Sequence, residues 1–342
     1  MNEYITIVVP VLNGEKTIKS CLDSIFEVNY PEDKYEVIVV DNGSKDNTLM
    51  IARGYNVKLY IKPEVTISAL RNFGALVGKG NIFAFVDADC LVSKNWIQMA
   101  ISHFQEERIG IIGSHYKIPE NCNWVGNARG LMSEKKNING EIDYLPGGNM
   151  LISRNCFESI NGFDESLITD EDVDLCYRAN KAGFRIYSDP MVSVVHLGDC
   201  ISLLTFLRKE IWRGREVVRL YIQDRRKINL KSTLYAISFS LIIVSIFGSL
   251  LVSFHTKRIN LFLFFCGALF FIPFALSIRS SIRQKRMKYF FHVMTIYLIF
   301  GIARAIAIFK MINMLKGKIR KIRFVDRIRG GSIIKPDKSI KV

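Results

Sequence analysis

Two long apolar runs in the C-terminal part of the chain restrict its fold most strongly. Residues 234–254 are 21 consecutive positions without a charged side chain, and residues 261–278 are 18 more, with Pro273 inside. An α-helix rises about 1.5 Å per residue, so runs of this length cross the roughly 30 Å hydrocarbon core of a bilayer. Helices in lipid also tolerate an internal proline better than soluble helices do. Both runs therefore predict transmembrane helices.

A third apolar run, residues 289–309, is interrupted by Arg304 after 15 uncharged positions. An arginine at that depth costs about 2.5–3.5 kcal/mol on insertion scales unless it reaches the interface. With a cytosolic N-terminal half, three crossings would place the basic tail at residues 313–342 outside, against the positive-inside rule. Two crossings followed by an interfacial helix would keep that tail inside. The sequence leaves both topologies open, with two or three helices in a transmembrane region at residues 231–312.

Charge divides the chain into an acidic and a basic part. Residues 1–200 contain 19 Lys and Arg against 27 Asp and Glu, whereas residues 201–342 contain 28 against 5. Basic clusters beside long apolar runs favour anionic membrane lipids, and not nucleic acid, as the partner of the C-terminal part. Residues 201–230 join the two parts, and residues 201–221 combine apolar side chains with arginines at helical spacing. They predict an amphipathic helix on the membrane surface or, alternatively, a helix packed on the soluble domain.

The N-terminus and the cysteines both indicate a cytosolic setting for residues 1–200. The first residues include an acidic side chain and lack the basic start and apolar stretch of a signal peptide. The seven cysteines are scattered and form no C-x-x-C pair, which predicts buried thiols and neither a disulfide framework nor a zinc site. We therefore expect a multi-pass protein of the plasma membrane with a cytoplasmic N-terminal domain.

Residues 1–200 alternate strand and helix patterns. Runs rich in β-branched residues predict strands at 4–10, 35–41, 57–61 and 82–87, and helical patterns follow from residue 15 and at 44–55, 65–78 and 93–104. This α/β repetition is typical of a parallel sheet covered by helices on both faces. Such sheets bind ligands outside the C-terminal ends of their strands.

Polar and acidic residues follow three of the four predicted strands. Asn13 follows the first strand, Asp41 ends the second, and Asp87 and Asp89 follow the fourth. The chain has no G-x-G-x-x-G and no G-x-x-x-x-G-K-[ST]. The sequence therefore argues against a dinucleotide-binding site and against a P-loop. A bound pyrophosphate would then need a metal, and two carboxylates in a D-x-D suit the hard cations Mg²⁺ or Mn²⁺.

Six sequence blocks in order resemble a family 2 glycosyltransferase. They are VVPVLNGE at 8–15, VVDNGSKDNT at 39–48, RNFGALVGKG at 71–80, FVDADC at 85–90, GGNMLISR at 147–154 and GFDESLITDEDVDLCYR at 162–178. The resemblance extends from residue 5 to about residue 226. It implies an inverting enzyme of the membrane-anchored bacterial or archaeal type. The implied fold is a GT-A (Rossmann-like) nucleotide-diphospho-sugar transferase domain at residues 1–200, followed by the α-helical transmembrane region.

The resemblance also implies roles for individual residues. Residues expected to hold the nucleotide and donor are Pro10, Val11, Asn13, Glu15, Asp41, Arg71 and Asp87. The residues expected at the metal are Asp87, Asp89 and His196, and those expected at the acceptor and donor sugar are Gly147, Gly148 and Glu171. Asp172 matches the catalytic base.

The chemistry independently requires a base and a cation. Transfer of a sugar to a hydroxyl with inversion needs a base for the acceptor proton and a positive charge for the leaving diphosphate. Asp172 lies among Asp170, Glu171 and Asp174, where like charges raise at least one pKa. Simpler explanations compete: Asp170 and Glu171 are also typical of a helix start, and His196 of a satisfied core imidazole.

One departure from the family bears on mechanism. Processive synthases of this family carry a Q-x-x-R-W block, but here Trp212 stands in RKEIWRG. We therefore expect a single addition from a nucleotide-diphosphate sugar to a membrane-held acceptor, either a lipid-linked saccharide or a cell-surface glycan. The alternatives are a polyprenyl-phosphate glycosyltransferase that makes a lipid-linked donor, and a catalytically silent, membrane-tethered nucleotide- or saccharide-binding module.

Overall fold

The computed structural model describes residues 3–106, 108–132, 138–199, 201–214, 230–256, 259–283 and 285–330. Residues 215–229 of the predicted joint and residues 331–342 of the predicted tail lie outside the described residues. The strands are β1 (Ile5–Val11), β2 (Tyr35–Asp41), β3 (Lys58–Ile61), β4 (Ile82–Val86), β5 (Cys90–Val92), β6 (Ile109–Gly113), β7 (Gly140–Glu141), β8 (Asn149–Ser153), β9 (Arg185–Ser188) and β10 (Val194–His196). The helices are α1 (Ile18–Phe26), α2 (Thr48–Ala52), α3 (Ile67–Val77), α4 (Trp96–His103), α5 (Trp124–Met132), α6 (Arg154–Ser159), α7 (Glu171–Lys181), α8 (Leu203–Arg213), α9 (Leu230–Thr256), α10 (Asn260–Arg283) and α11 (Phe290–Gly330).

The main sheet has the strand order β3-β2-β1-β4-β8-β6-β9-β7. Its first four strands are parallel, whereas β8 runs antiparallel to both β4 and β6, and β7 antiparallel to β9. The prediction of a parallel sheet is therefore wrong beyond β4, and the sheet is mixed. A buried strand has the same apolar pattern in either direction, so its sequence does not specify its orientation.

Apolar side chains from successive positions of the sheet fill two cores on opposite faces. Ile7 and Val9 of β1 pack with Leu22 of α1 and Trp96 of α4, whereas Val8 faces the other core. All seven residues of β1 and of β2 are buried. Full burial of one such side chain is worth about 1.5–3 kcal/mol, so this two-sided packing fixes the strand ends on which the site is built.

A second, two-stranded sheet brings distant segments together beside the main one. Strand β5 pairs antiparallel with β10, and His196 lies opposite Cys90 in the register. Since Asp89 immediately precedes β5, this pairing places an imidazole next to the D-x-D carboxylates.

In the part of the chain that the structure describes, three helices are long and apolar enough to cross a membrane: Leu234–Thr256, Asn260–Arg283 and Met287–Lys310. They differ in packing, because the most apolar window is 17% buried in the first, 11% in the second and 50% in the third. The first two form a hairpin whose far half is mostly exposed, as at Phe247 and Phe271. The third helix makes most of the contacts between these three helices and the rest of the protein.

Helix α11 packs on the N-terminal domain. Val293 and Ile296 of α11 share a core cluster with Val125 of α5 and Phe206 of α8. In the described part of the predicted amphipathic segment, α8 buries Phe206 and Glu210. The first helix of the hairpin also contacts α11, since the hydroxyl of Tyr235 donates to the carbonyl oxygen of Tyr297 at 2.8 Å.

Most of the described cysteines agree with the prediction of buried thiols. Cys21, Cys90, Cys156 and Cys176 are buried and form no disulfide, whereas Cys266 is partly exposed. Cys122, at the start of the segment that leads into α5, is disulfide-bonded. The prediction of a buried thiol is therefore wrong at this position.

Candidate active site

A cavity of about 900 Å³ opens at the C-terminal ends of β1 and β4. Its lining comes from the loop after β1, from α3, from the chain around Tyr116, from the start of α7, and from α5, α8 and α11. Both the N-terminal domain and the third apolar helix therefore form its wall.

Arg71 connects two of the predicted site carboxylates. Its Nη2 atom donates to Asp87 Oδ1 at 2.8 Å, and its Nη1 atom donates to Glu171 Oε1 at 2.7 Å. Burial alone would lower the pKa of Arg71, but the charges of Asp87 and Glu171 outweigh burial and raise it. The guanidinium stays charged and holds the start of α7 against the D-x-D segment.

Two glycines allow the backbone to pass close to Arg71 and Asp87. A Cβ atom on Gly147 would lie 2.8 Å from Arg71 Nη1, and one on Gly148 would lie 2.4 Å from the carboxyl carbon of Asp87. The backbone N–H of Gly148 donates to the Tyr116 hydroxyl at 3.0 Å, and that hydroxyl donates to Asp87 Oδ2 at 3.3 Å. Glycine is needed at both positions because the backbone passes directly over charged side chains.

Four side chains form a group that could hold a metal ion. Ligand atoms of Asp87, Asp89, Cys90 and His196 lie within 4.8 Å of one another. The Nε2 atom of His196 is 3.4 Å from Asp89 Oδ1, and its ring stacks on Tyr116 at 4.7 Å. Burial raises the pKa of Asp89, supported by the charge of Asp87 and opposed by His196 and Lys209. Sequence analysis missed Cys90 as a member of this group, although it follows the D-x-D directly.

Asp172 lies at the N-terminus of α7 and lines the same cavity. Its Oδ2 atom accepts from the backbone N–H of Gly147 at 3.1 Å, and its Oδ1 atom from that of Val173 at 2.8 Å. Burial, together with the charges of Glu171 and Asp170, raises its pKa to about 7, against the opposing charge of Arg71. A carboxyl with that pKa can accept and release a proton near neutrality.

The predicted nucleotide residues fall into two groups. Pro10 and Val11 line the cavity, and Asp41 is fully buried beside them at the end of β2. Asp41 Oδ1 accepts from the N–H groups of Gly43 and Ser44, while Oδ2 has no hydrogen-bond partner among the described residues.

Asn13 and Glu15 are not among the cavity-lining residues. Asn13 Oδ1 accepts from the N–H of Lys45 at 2.9 Å, and Glu15 Oε2 accepts from that of Asn47 at 3.3 Å. Both side chains therefore tie the loop after β1 to the loop after β2.

The opposite end of the cavity is lined by arginines that sequence analysis did not assign to the site. They are Arg129 of α5, Arg213 of α8 and Arg304 of α11. Glu210 Oε1 accepts from Arg213 Nη1 at 2.7 Å, and Glu210 Oε2 accepts from Arg304 Nη2 at 2.8 Å. Burial alone would raise the pKa of Glu210, but the nearby arginines outweigh it and lower the pKa. The spacing of apolar residues around Arg304 gave no signal that this helix contributes to a site.

A mixed, Rossmann-like sheet with these helices is a GT-A fold. Mannosyltransferase PcManGT of Pyrobaculum calidifontis, solved with GDP-Man and Mn²⁺, has a similar structure with a TM-score of 0.58 over 89% of this chain and 87% of that one. At 17% identity the likeness concerns the fold.

Sequence comparisons agree with the fold. The family model described as "Glycosyl transferase family 2" matches residues 6–160. Glycosyltransferase AglE of Haloferax volcanii is 28% identical over 65% of this chain and 75% of its own length. A dolichyl N-acetyl-α-D-glucosaminyl phosphate 3-β-D-2,3-diacetamido-2,3-dideoxy-β-D-glucuronosyltransferase of Methanococcus voltae is 25% identical over 55% of this chain and 65% of its own length. Residues 6–160 therefore match glycosyl transferase family 2, and the family model and these relatives support a glycosyltransferase.

Proposed function

We propose that this glycosyltransferase moves one sugar, with inversion and in a metal-dependent reaction, from a nucleotide-diphosphate sugar to a lipid-linked saccharide. The observation that carries the proposal is the position of Asp172. A carboxyl with a pKa of about 7 lines the same cavity as Asp87 of the metal-capable group. A base and a site for the leaving group therefore share one cavity.

The donor would occupy the end of the cavity beside β1 and β2. Pro10 and Val11 provide an apolar wall, and the free Oδ2 atom of Asp41 offers an acceptor for a base N–H group. The similar mannosyltransferase was solved with GDP-Man, which supports a nucleotide-sugar donor here.

The residues at the D-x-D suit a divalent cation. Asp87, Asp89 and His196 would hold it, and two carboxylates with one imidazole fit Mn²⁺ or Mg²⁺. When bound, the ion supplies positive charge for the diphosphate that leaves. Mn²⁺ in the similar mannosyltransferase structure supports this assignment.

The chain's own residues would carry out the remaining steps. Asp172 takes the proton of the acceptor hydroxyl, the acceptor oxygen bonds to the anomeric carbon, and the bond from that carbon to the diphosphate oxygen breaks. Gly147 positions Asp172 through its N–H, while Arg71 and Glu171 hold the two sides of the cavity together. Attack opposite the leaving group gives inversion.

The acceptor would reach the cavity from the membrane. Helices α8 and α11 form part of its wall, and α11 belongs to the three helices that could span a membrane. The Methanococcus voltae relative is named for a dolichyl-phosphate-linked sugar, which supports a lipid-linked acceptor. This arrangement goes with a cytoplasmic catalytic domain at the plasma membrane.

The test is a panel of UDP-, GDP- and dTDP-sugars with the purified full chain in lipid, in Mn²⁺, Mg²⁺ or EDTA. We expect one donor to release nucleotide diphosphate, with release abolished by EDTA and by Asp89→Asn. Asp33→Asn, at an exposed position, is the matched control and should retain activity. Nucleotide binding without release, even when lipid-linked saccharides are added, would contradict the proposal and favour a silent binding module.

A further inference from the structure

Arg304 is an unusual residue for its helix. It lies in the apolar segment Met287–Lys310 and is only 8% exposed. Its Nη2 atom donates to Glu210, but its Nε and Nη1 atoms are buried and have no hydrogen-bond partner among the described residues. Buried donors without partners are costly and rare, so the geometry indicates a missing acceptor group.

The surroundings of Arg304 are rich in positive charge. Arg129 and Arg213 line the same end of the cavity, and Glu210 is the carboxylate that Arg213 and Arg304 share. The next acidic groups are Asp170 and Asp172, and the Tyr144 side chain lies within electrostatic range of both and of Arg213. Glu210 therefore pairs with two of these guanidinium groups, and it leaves the Nε and Nη1 donors of Arg304 unsatisfied among the described residues.

Guanidinium groups suit the oxygens of phosphates as well as those of carboxylates, because their forked N–H groups can bond two oxygens at once. The cluster also lies where the N-terminal domain meets the apolar helices, and the exposed Trp212 lines the same cavity. A ligand with a phosphate and an apolar chain satisfies both features.

We infer that Arg129, Arg213 and Arg304 bind the phosphate or diphosphate that joins the acceptor to its lipid. The inference rests on the proposed function and specifies the acceptor as an acidic, phosphate-bearing lipid. It also explains how the acceptor reaches the base, since the Thr169 hydroxyl donates to the Arg213 carbonyl oxygen at 3.4 Å. Thr169 stands three positions before Asp172 in the chain, so the phosphate site adjoins the base.

Binding can be tested without a donor. The full chain in nanodiscs is titrated with farnesyl phosphate, farnesyl diphosphate and farnesol, and with inorganic phosphate and diphosphate as free anions. We expect the two lipid phosphates to bind, and Arg304→Gln and Arg129→Gln each to weaken their binding about tenfold or more. Arg185→Gln, a partly exposed arginine on β9 paired with Glu141, is the control and should bind as the natural chain does.

Glu210→Gln separates a phosphate site from a purely structural ion pair. If the arginines only stabilise the joint, Glu210→Gln and Arg304→Gln break the same pair and lose binding alike. If they hold a phosphate, Glu210→Gln removes the competing anion and binding stays equal or becomes tighter. Arg129→Gln keeps the Glu210–Arg304 contact and serves if Arg304→Gln does not fold.

Three results would overturn the inference: farnesol binding as tightly as the lipid phosphates, inorganic phosphate binding as tightly as farnesyl phosphate, or arginine variants that lose UDP or GDP instead of the lipid. The first excludes a phosphate site, the second a lipid ligand, and the third assigns the arginines to the donor. Failure of the proposed function is a separate result, because it appears as absent donor turnover in the natural chain.

Discussion

The two ends of the cavity differ in charge and in origin. One end carries the carboxylates of Asp87 and Asp172, which stand on two separate motifs of the N-terminal domain. The other carries Arg129, Arg213 and Arg304, which come from three helices, one of them apolar enough to cross a membrane. The difference shows that one cavity can combine carboxylates positioned by a sheet with arginines from helices packed against that sheet. The carboxylate end should govern turnover, and the arginine end should govern acceptor affinity.

The largest effect should come from Asp172→Asn. Loss of a general base typically costs about 10²–10⁴ in rate, so kcat should fall by that amount while donor affinity changes little. Initial rates across donor concentrations measure both quantities, with Asp33→Asn as the control. Near-normal turnover in Asp172→Asn would mean that another group takes the proton.

Removal of the carboxylate from the arginine end should affect stability. Glu210→Ala leaves Arg304 and Arg213 without their shared partner, and an uncompensated buried charge costs about 3–5 kcal/mol. Thermal unfolding of the purified chain should show a clear fall in Tm, whereas Glu158→Ala, which removes an exposed i,i+4 pair with Arg154, should change it little. Equal Tm values for the two variants would show that the buried pairs at the joint contribute no stability.

The carboxylate end should also give a pH dependence. Asp172 acts as a base only when ionised, and its pKa is about 7, so kcat should fall about tenfold per pH unit below 7 and level off above it. Rates at saturating donor, acceptor and metal test this. Glu171→Gln removes a charge that raises the pKa of Asp172, so its acidic limb should move to lower pH; an unmoved limb would assign the titration to another group.

The smallest effect should come from Tyr116→Phe. The hydroxyl accepts from Gly148 and donates to Asp87 at 3.3 Å, a long contact, and a typical hydrogen bond is worth about 0.5–1.5 kcal/mol, or roughly two- to tenfold in rate. The loss should appear in donor turnover and leave farnesyl phosphate binding unchanged. A larger effect on the lipid than on turnover would break the division between the two ends.

Local patterns were enough to predict the first half of the sheet. The predicted strand at 35–41 coincides with β2, and the strand at 4–10 is displaced by one residue from β1. The predicted helix at 44–55 shrinks to Thr48–Ala52, because the preceding loop is held by Asn13 and Glu15. Boundaries set by such contacts between loops are not encoded in periodicity.

The sequence by itself determined the α/β alternation, the D-x-D and its acidic partners, and the three apolar segments, because these depend on composition and on spacing within a few residues. Only the tertiary structure decided that β8 runs antiparallel, that β10 brings His196 to Asp89, and that α11 turns Arg304 toward Glu210 and the cavity. The two side-chain contacts join residues 94 and 107 positions apart, and the direction of β8 is not specified by an apolar pattern that is the same in either direction. Contacts of that range depend on how whole elements pack, and no short pattern in the chain specifies them.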